Sequence, residues 1–195
     1  MKSQRIAQFI SQILNAPVVC ACSLIIYWVF IPSTLNIMSV MGAILFLFVF
    51  PWAPVLLFYL KSRVGPSTLS GKKRIPFVFI GFISYIIGAI YFSYVFSDNN
   101  SYKFFVALHI TYIIFSALLI LGNIVSKPSV HMGGFFAPIV LLSLFLGWHF
   151  LLLTILSIPI AWSRKELGVH TKNQLITGTF IGIISAIASY FLVFL

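Results

Sequence analysis

The chain has 195 residues, 61% hydrophobic and 7% charged, with a mean hydropathy of +1.12. A water-soluble domain of this size carries about a quarter charged residues, so there are too few charges here to solvate a folded surface, and lipid is the expected solvent for most of it. Twelve Lys and Arg against two Asp and Glu give a formal charge of +10. In a lipid-embedded chain this reads as a basic face towards anionic headgroups and not as a nucleic-acid surface.

The apolar runs are long and unbroken, unlike the short alternating segments of a membrane β-barrel. The expected class is therefore all-α, a polytopic transmembrane helical bundle in which each span satisfies its own backbone hydrogen bonds. Residues 1–17 place basic and polar residues ahead of the first apolar run, and the small residues Cys20-Ala21-Cys22-Ser23 fall inside that run, which disfavours a cleaved signal peptide. Cys20 and Cys22 have no further Cys or nearby His to complete a metal set and read as apolar filler.

About 20 apolar residues cross a bilayer. The leading spans are expected over residues 17–31 and 37–60, with a break between them and kinks at Pro51 and Pro54. A polar loop, KSRVGPSTLSGKKR, occupies 61–74. Spans follow at 77–96 and 104–125, separated by the polar turn 97–103, and residues 126–131 are polar again.

As a single helix, 132–162 would be about 46 Å long, well over the hydrocarbon thickness. Two short spans turning at Gly147-Trp148-His149 fit better. Residues 163–174 are polar and 175–195 form the last span. The total is seven spans, or six if 132–162 crosses once, in one integral membrane domain over 1–195 with no internal repeat.

With seven spans, 11 of the 12 Lys and Arg share one face, Lys103 being the exception. The positive-inside rule places that face in the cytoplasm of a multi-pass protein of the cell (inner) membrane. Setting aside Arg74, Lys127 and Arg164 still leaves 8 of 9 on that side. With six spans, Arg164, Lys165 and Lys172 would move across.

Three polar stretches on that face carry chemistry: Lys72-Lys73-Arg74-Ile75-Pro76, Lys127-Pro128-Ser129-Val130-His131, and Ser163-Arg164-x5-His170-x3-Gln174. They supply two His, two Arg, a Ser and several Lys with almost no carboxylate. Arg fixes phosphate oxygens in a planar fork, Lys adds a point charge, and two His can divide nucleophilic attack from proton donation. Asp98 and Glu166 are the only carboxylates. They are too few for the aspartate-rich, magnesium-holding sites of membrane prenyl- or phosphatidyl-transferases, so no metal and no cofactor is expected. His109 and His149 read as helix contacts or interfacial residues, and Gly133–Gly134 as a close approach of either a helix or a lipid headgroup.

Pro128-Ser129-Val130-His131 resembles the second signature, Pro-Ser-Gly-His, of the type 2 phosphatidic acid phosphatase (PAP2) superfamily. Ser163-Arg164-x5-His170-x3-Gln174 resembles its third, Ser-Arg-x5-His-x3-Asp. Arg74-Ile75-Pro76 matches part of its first, Lys-x6-Arg-Pro, with Ser67 where the Lys would fall. The resemblance covers roughly 61–195.

It implies a metal-independent lipid phosphatase in which His170 is the nucleophile and forms a phospho-histidine, and His131 is the general acid. Arg74, Arg164 and Ser129 would bind phosphate, and Lys127, Lys72 or Lys73 would stand in for the missing Lys. Gln174, in place of Asp, can accept the Nδ1–H of His170 but brings no charge, so a slower nucleophile is expected. The implied partner is a lipid phosphate in the bilayer, such as phosphatidate, phosphatidylglycerophosphate or a polyprenyl (di)phosphate. A non-hydrolytic binder or transporter, or a phosphotransferase on the same scaffold, are the alternatives.

Overall fold

The structure is a computed structural model that describes residues 2–62, 71–97 and 99–195, and the secondary structure among them is helical throughout. Ser67 and Asp98 lie outside the described residues. The first helix, α1 (Lys2–Ile13), is amphipathic and meets α2 (Ala16–Phe30) at a 44° bend. The bend is local chemistry. Asn15 leaves the helical conformation, its side chain accepts the Val18 N–H, and Pro17 sits in the first turn of α2, which starts a new helix.

Asn36 and Ser39 form a reciprocal capping box that opens α3 (Ile37–Ala43). A π-helical stretch, Ile44–Val49, joins it to α4 (Phe50–Ser62). The disturbance expected from Pro51 and Pro54 takes this form: the Phe50 N–H reaches back to the Leu45 carbonyl, one residue farther than in an α-helix. Then come α5 (Gly71–Val95), α6 (Lys103–Val125) and α7 (Val130–Leu146). The loop expected over 61–74 is shorter at its end, because Gly71 to Arg74 already belong to α5.

At Gly147 the backbone turns with φ +125°. The chain returns through a 3-10 helix, Trp148–Leu156, and α8 (Ser157–Glu166), and ends in α9 (Lys172–Phe194). Because a 3-10 helix rises about 2.0 Å per residue, this return arm reaches about 33 Å and offsets its modest residue count.

Among the described residues, four stretches are long and apolar enough to cross a membrane, Ile37–Lys61, Gly71–Val95, Asn100–Val125 and Lys172–Phe194, and the bent α1–α2 pair makes a fifth if taken as one span. This is fewer than the six or seven expected. The shortfall lies in the short elements: α2 has 15 residues and α7 has 17, about 22 and 25 Å of helix against about 30 Å of hydrocarbon.

α6 is central, packing against α5, α7 and α9 with Phe104, Phe105, Leu108 and Leu119 buried. The two ends of the bundle differ. One is aromatic: Tyr27 stacks on Phe104 at 4.0 Å between centroids, its hydroxyl donates to the Ser101 carbonyl at 2.7 Å, and the Lys103 ammonium sits 4.8 Å from the Phe194 ring centroid.

The other end gathers the first turns of α5, α7 and α9 and the last turn of α8. A close helix crossing fixes it. A Cβ on Gly178 of α9 would overlap the Ser129 carbonyl, and one on Gly182 the Gly133 carbonyl. Gly133 and Gly134 thus serve helix approach, to α9 and to Ala16 of α2.

Candidate functional site

The spacing of Arg164 and His170 comes from how α8 stops and α9 starts. Gly168, at φ +66°, adopts the left-handed conformation. Its N–H donates to the Lys165 carbonyl at 3.0 Å, and the Val169 N–H donates to the Arg164 carbonyl at 3.2 Å. Together these make a Schellman turn, the standard way to satisfy the last carbonyls of a helix. His170 follows, and Thr171 caps α9 in a capping box with Gln174. The five-residue gap in the sequence is therefore one helix stop, and the three-residue gap is one helix start.

In that capping box the Gln174 side-chain oxygen accepts the Thr171 N–H at 3.1 Å and lies 3.3 Å from Nδ1 of His170. An atom that accepts a backbone N–H is the amide oxygen, so the His170 contact places the proton on Nδ1 and leaves the lone pair on Nε2. Next to it, the Ser129 N–H donates to the Gln174 backbone carbonyl at 2.9 Å, tying the start of α7 to the start of α9.

Arg74, on the first turn of α5, and Arg164, on the last turn of α8, are both buried. Both line a cavity of about 510 Å³ together with His131 and His170. Arg164 Nη1 donates to the Ser11 hydroxyl at 2.6 Å, and that hydroxyl lies 3.4 Å from Nε2 of His131. Among the described residues, Nη1 of Arg74 and Nε and Nη2 of Arg164 are buried with no hydrogen-bond partner. Among the described residues no carboxylate lines the cavity; Glu166 accepts from the Ser3 hydroxyl at 2.6 Å. The first turns of α7 and α9 add the positive ends of two helix dipoles. The polar end of the cavity is thus a concentration of positive charge with unused N–H groups. The rest of its wall is apolar, with Leu47, Val55, Phe77, Val78, Phe115 and Leu119 among the contributors.

This setting acts on the titrating groups outside the helices. Burial pushes His170 down to about 4, helped by the Arg164 and Arg74 charges and then Lys127, and opposed by the Gln174 hydrogen bond. The Lys127 ammonium is also pushed down, first by burial and then by Arg74 and Arg164.

The sequence-predicted residues separate here. Arg74, His131, Arg164 and His170 line the cavity, and Gln174 stands behind His170. Lys127 is half-buried within electrostatic reach of both arginines, whereas Lys72 and Lys73 are exposed and do not line the cavity. Ser129 is fully buried, but its hydroxyl caps α7 on the Met132 N–H and its amide is taken by Gln174. Its backbone N–H is therefore occupied within the protein, and its hydroxyl oxygen serves as an acceptor.

His109 is a buried core histidine with Nδ1 2.7 Å from the Phe105 carbonyl, and His149 lies against Phe150 at the turn after α7. Sequence reasoning missed Ser11, Gln12 and Asn15 of the first helices, which line the cavity; a lone serine in an amphipathic helix carries no signal of a site. No family model, no curated protein and no solved structure matches the chain.

Proposed function

We propose that the chain is a membrane lipid phosphate phosphatase of the PAP2-like kind, cleaving a phosphomonoester or diphosphate from a lipid without a metal. The observation that carries the reading is the pair of buried guanidiniums, Arg74 and Arg164, whose free N–H groups share one cavity with His131 and His170. Two uncompensated buried cations are costly unless an anion completes them. A phosphate matches the planar donor geometry of arginine.

The steps follow from the atoms present. Arg74 and Arg164 hold the phosphoryl oxygens. Nε2 of His170, whose Nδ1–H is directed to Gln174, attacks phosphorus, and the bond from phosphorus to the lipid oxygen breaks. His131 gives its proton to that oxygen as the alcohol leaves. His131 then takes a proton from water, whose oxygen attacks the phospho-histidine and returns His170 and inorganic phosphate. The apolar wall accommodates the hydrocarbon part of the substrate.

Topologically, the reading takes α2, the α3–α4 stretch, α5, α6, α7, the return arm with α8, and α9 as seven crossings. The cavity's polar end then lies on the basic, cytoplasmic face.

The deciding experiment is phosphate release from a panel of lipid phosphates in detergent micelles, with chelator present and with His170→Ala as control. Release by the wild type and none by the variant is expected; undiminished release by His170→Ala would sink the assignment. A second reading, phosphate binding without hydrolysis, is favoured by Gln174, which orients His170 but brings no negative charge. Trapping a phospho-histidine on His170 would exclude it.

A further inference from the structure

Among the described residues, one side-chain hydrogen bond holds the Arg164 guanidinium, and its partner comes from the far end of the sequence. Ser11, on α1, accepts from Arg164 Nη1 at 2.6 Å across 153 positions of chain. The same oxygen is 3.4 Å from Nε2 of His131. Ser11 is 7% exposed and lines the same cavity. One hydroxyl therefore touches both the cation and the imidazole at the polar end.

The choice of a hydroxyl has chemical consequences. A carboxylate here would orient Arg164 more firmly but would also cancel the charge that an anion needs. A hydroxyl orients the guanidinium while leaving the charge intact, with Nε and Nη2 uncommitted. It also both donates and accepts, so it stays paired with His131 whether Nε2 carries a proton or a lone pair. An imidazole that gains and loses a proton in each cycle requires such a partner.

α1 is built to deliver this group. Ala7 and Ser11, four residues apart, face inward against α8, while Ile6, Phe9 and Ile13 are exposed on the outer face. With Arg5 on the same helix, that pattern suits a helix lying in the membrane interface. A second tether, Ser3 to Glu166, holds the other end of α1 on α8.

We propose that Ser11 is a positioning residue of the site, which the N-terminal helix inserts to set Arg164 and His131 relative to each other. The inference rests on the phosphatase reading above.

The test uses the full chain in detergent micelles, comparing wild type, Ser11→Ala and Ser3→Ala. Phosphate release from a lipid phosphomonoester is measured against pH, and orthovanadate binding alongside it. Ser11→Ala should lower kcat by about 10- to 100-fold, the scale of a small misplacement of catalytic groups, with a smaller change in KM. It should also alter the pH profile, because Ser11 is the hydroxyl that contacts Nε2 of His131. Ser3→Ala, which loosens α1 but leaves the site contacts, should keep a rate and profile close to wild type.

Equal behaviour of the two variants, or an unchanged pH profile in Ser11→Ala, means that Ser11 only packs α1 and overturns the inference. If the wild type releases no phosphate, the hydrolytic reading fails separately and orthovanadate decides. Weaker binding by Ser11→Ala than by Ser3→Ala then supports the inference. Equal binding, or none by the wild type, defeats it.

Discussion

The amide oxygen of Gln174 stands 3.3 Å from Nδ1 of His170 while it closes the capping box of α9 on Thr171 at 3.1 Å. The same carbonyl therefore starts a helix and orients an imidazole. Gln174→Ala should lose about 1 kcal/mol of stability as the cap is lost, and should lower the rate of phosphate release by tenfold or more, roughly the low end of losing an imidazole-orienting partner. Gln174→Glu retains the reach and adds a charge, so it should raise the pKa of His170 and speed the reaction. Thermal unfolding and steady-state rates on both variants check this; a Gln174→Ala variant releasing phosphate as fast as the wild type would remove Gln174 from the proposed site.

The pH dependence follows from His170, held down to about 4 by burial and by the Arg164 and Arg74 charges. In the proposed reaction the neutral imidazole is the nucleophile, so activity should survive well below the ordinary histidine pKa and fall as pH drops through about 4. The sign for stability is consistent. Between the usual value of about 6.5 and the folded value, the unfolded chain binds the extra proton, so stability decreases as pH falls across that window. The acid limb of kcat/KM and denaturation midpoints from pH 7 to pH 4 measure both effects. An acid limb at the ordinary histidine value would show that His170 does not sit among those charges during the proposed reaction.

Gly168 has open space around it but a φ of +66°. Gly168→Ala therefore meets no clash, and its whole cost is conformational, about 1 kcal/mol. Because the Schellman turn sets His170 against Arg164, the variant should also lose activity out of proportion to its stability. Gly178→Ala differs in kind: its Cβ would collide with the Ser129 backbone, so it should destabilise more strongly and separate the starts of α7 and α9. Unfolding curves and phosphate-release rates for the pair distinguish a strained turn from a forced helix separation.

Sidedness has its own test. Single cysteines at Lys165 and Asn99, both exposed, placed in a chain with Cys20 and Cys22 changed to Ala, should react with an impermeant maleimide from opposite faces, Lys165 from the cytoplasm. Labelling of both from one face would return the chain to six crossings.

Much of the architecture was legible because it depends on near neighbours. Run length and composition mark the long helices around 37–60, 77–96, 104–125 and 175–195. Gly147-Trp148-His149 marks a turn, and the gaps in Ser163-Arg164-x5-His170-x3-Gln174 follow from a helix stop and a helix start. The reach of the return arm was not legible in the same way, because its 3-10 segment changes the rise per residue without changing the hydrophobic run.

The site divides along the same line. The sequence by itself put two arginines and two histidines at helix ends on one face, since each belongs to a local spacing. Only the tertiary structure decided that Lys127 lies near the arginines while Lys73 is exposed, that Ser129 caps α7 with its hydroxyl oxygen and gives its N–H to Gln174 of α9, and that Ser11 reaches Arg164. Those outcomes depend on which helices touch. In a bundle that touch is set by glycines such as Gly133 and Gly178 meeting across a crossing, a match between distant segments that no spacing within either one records.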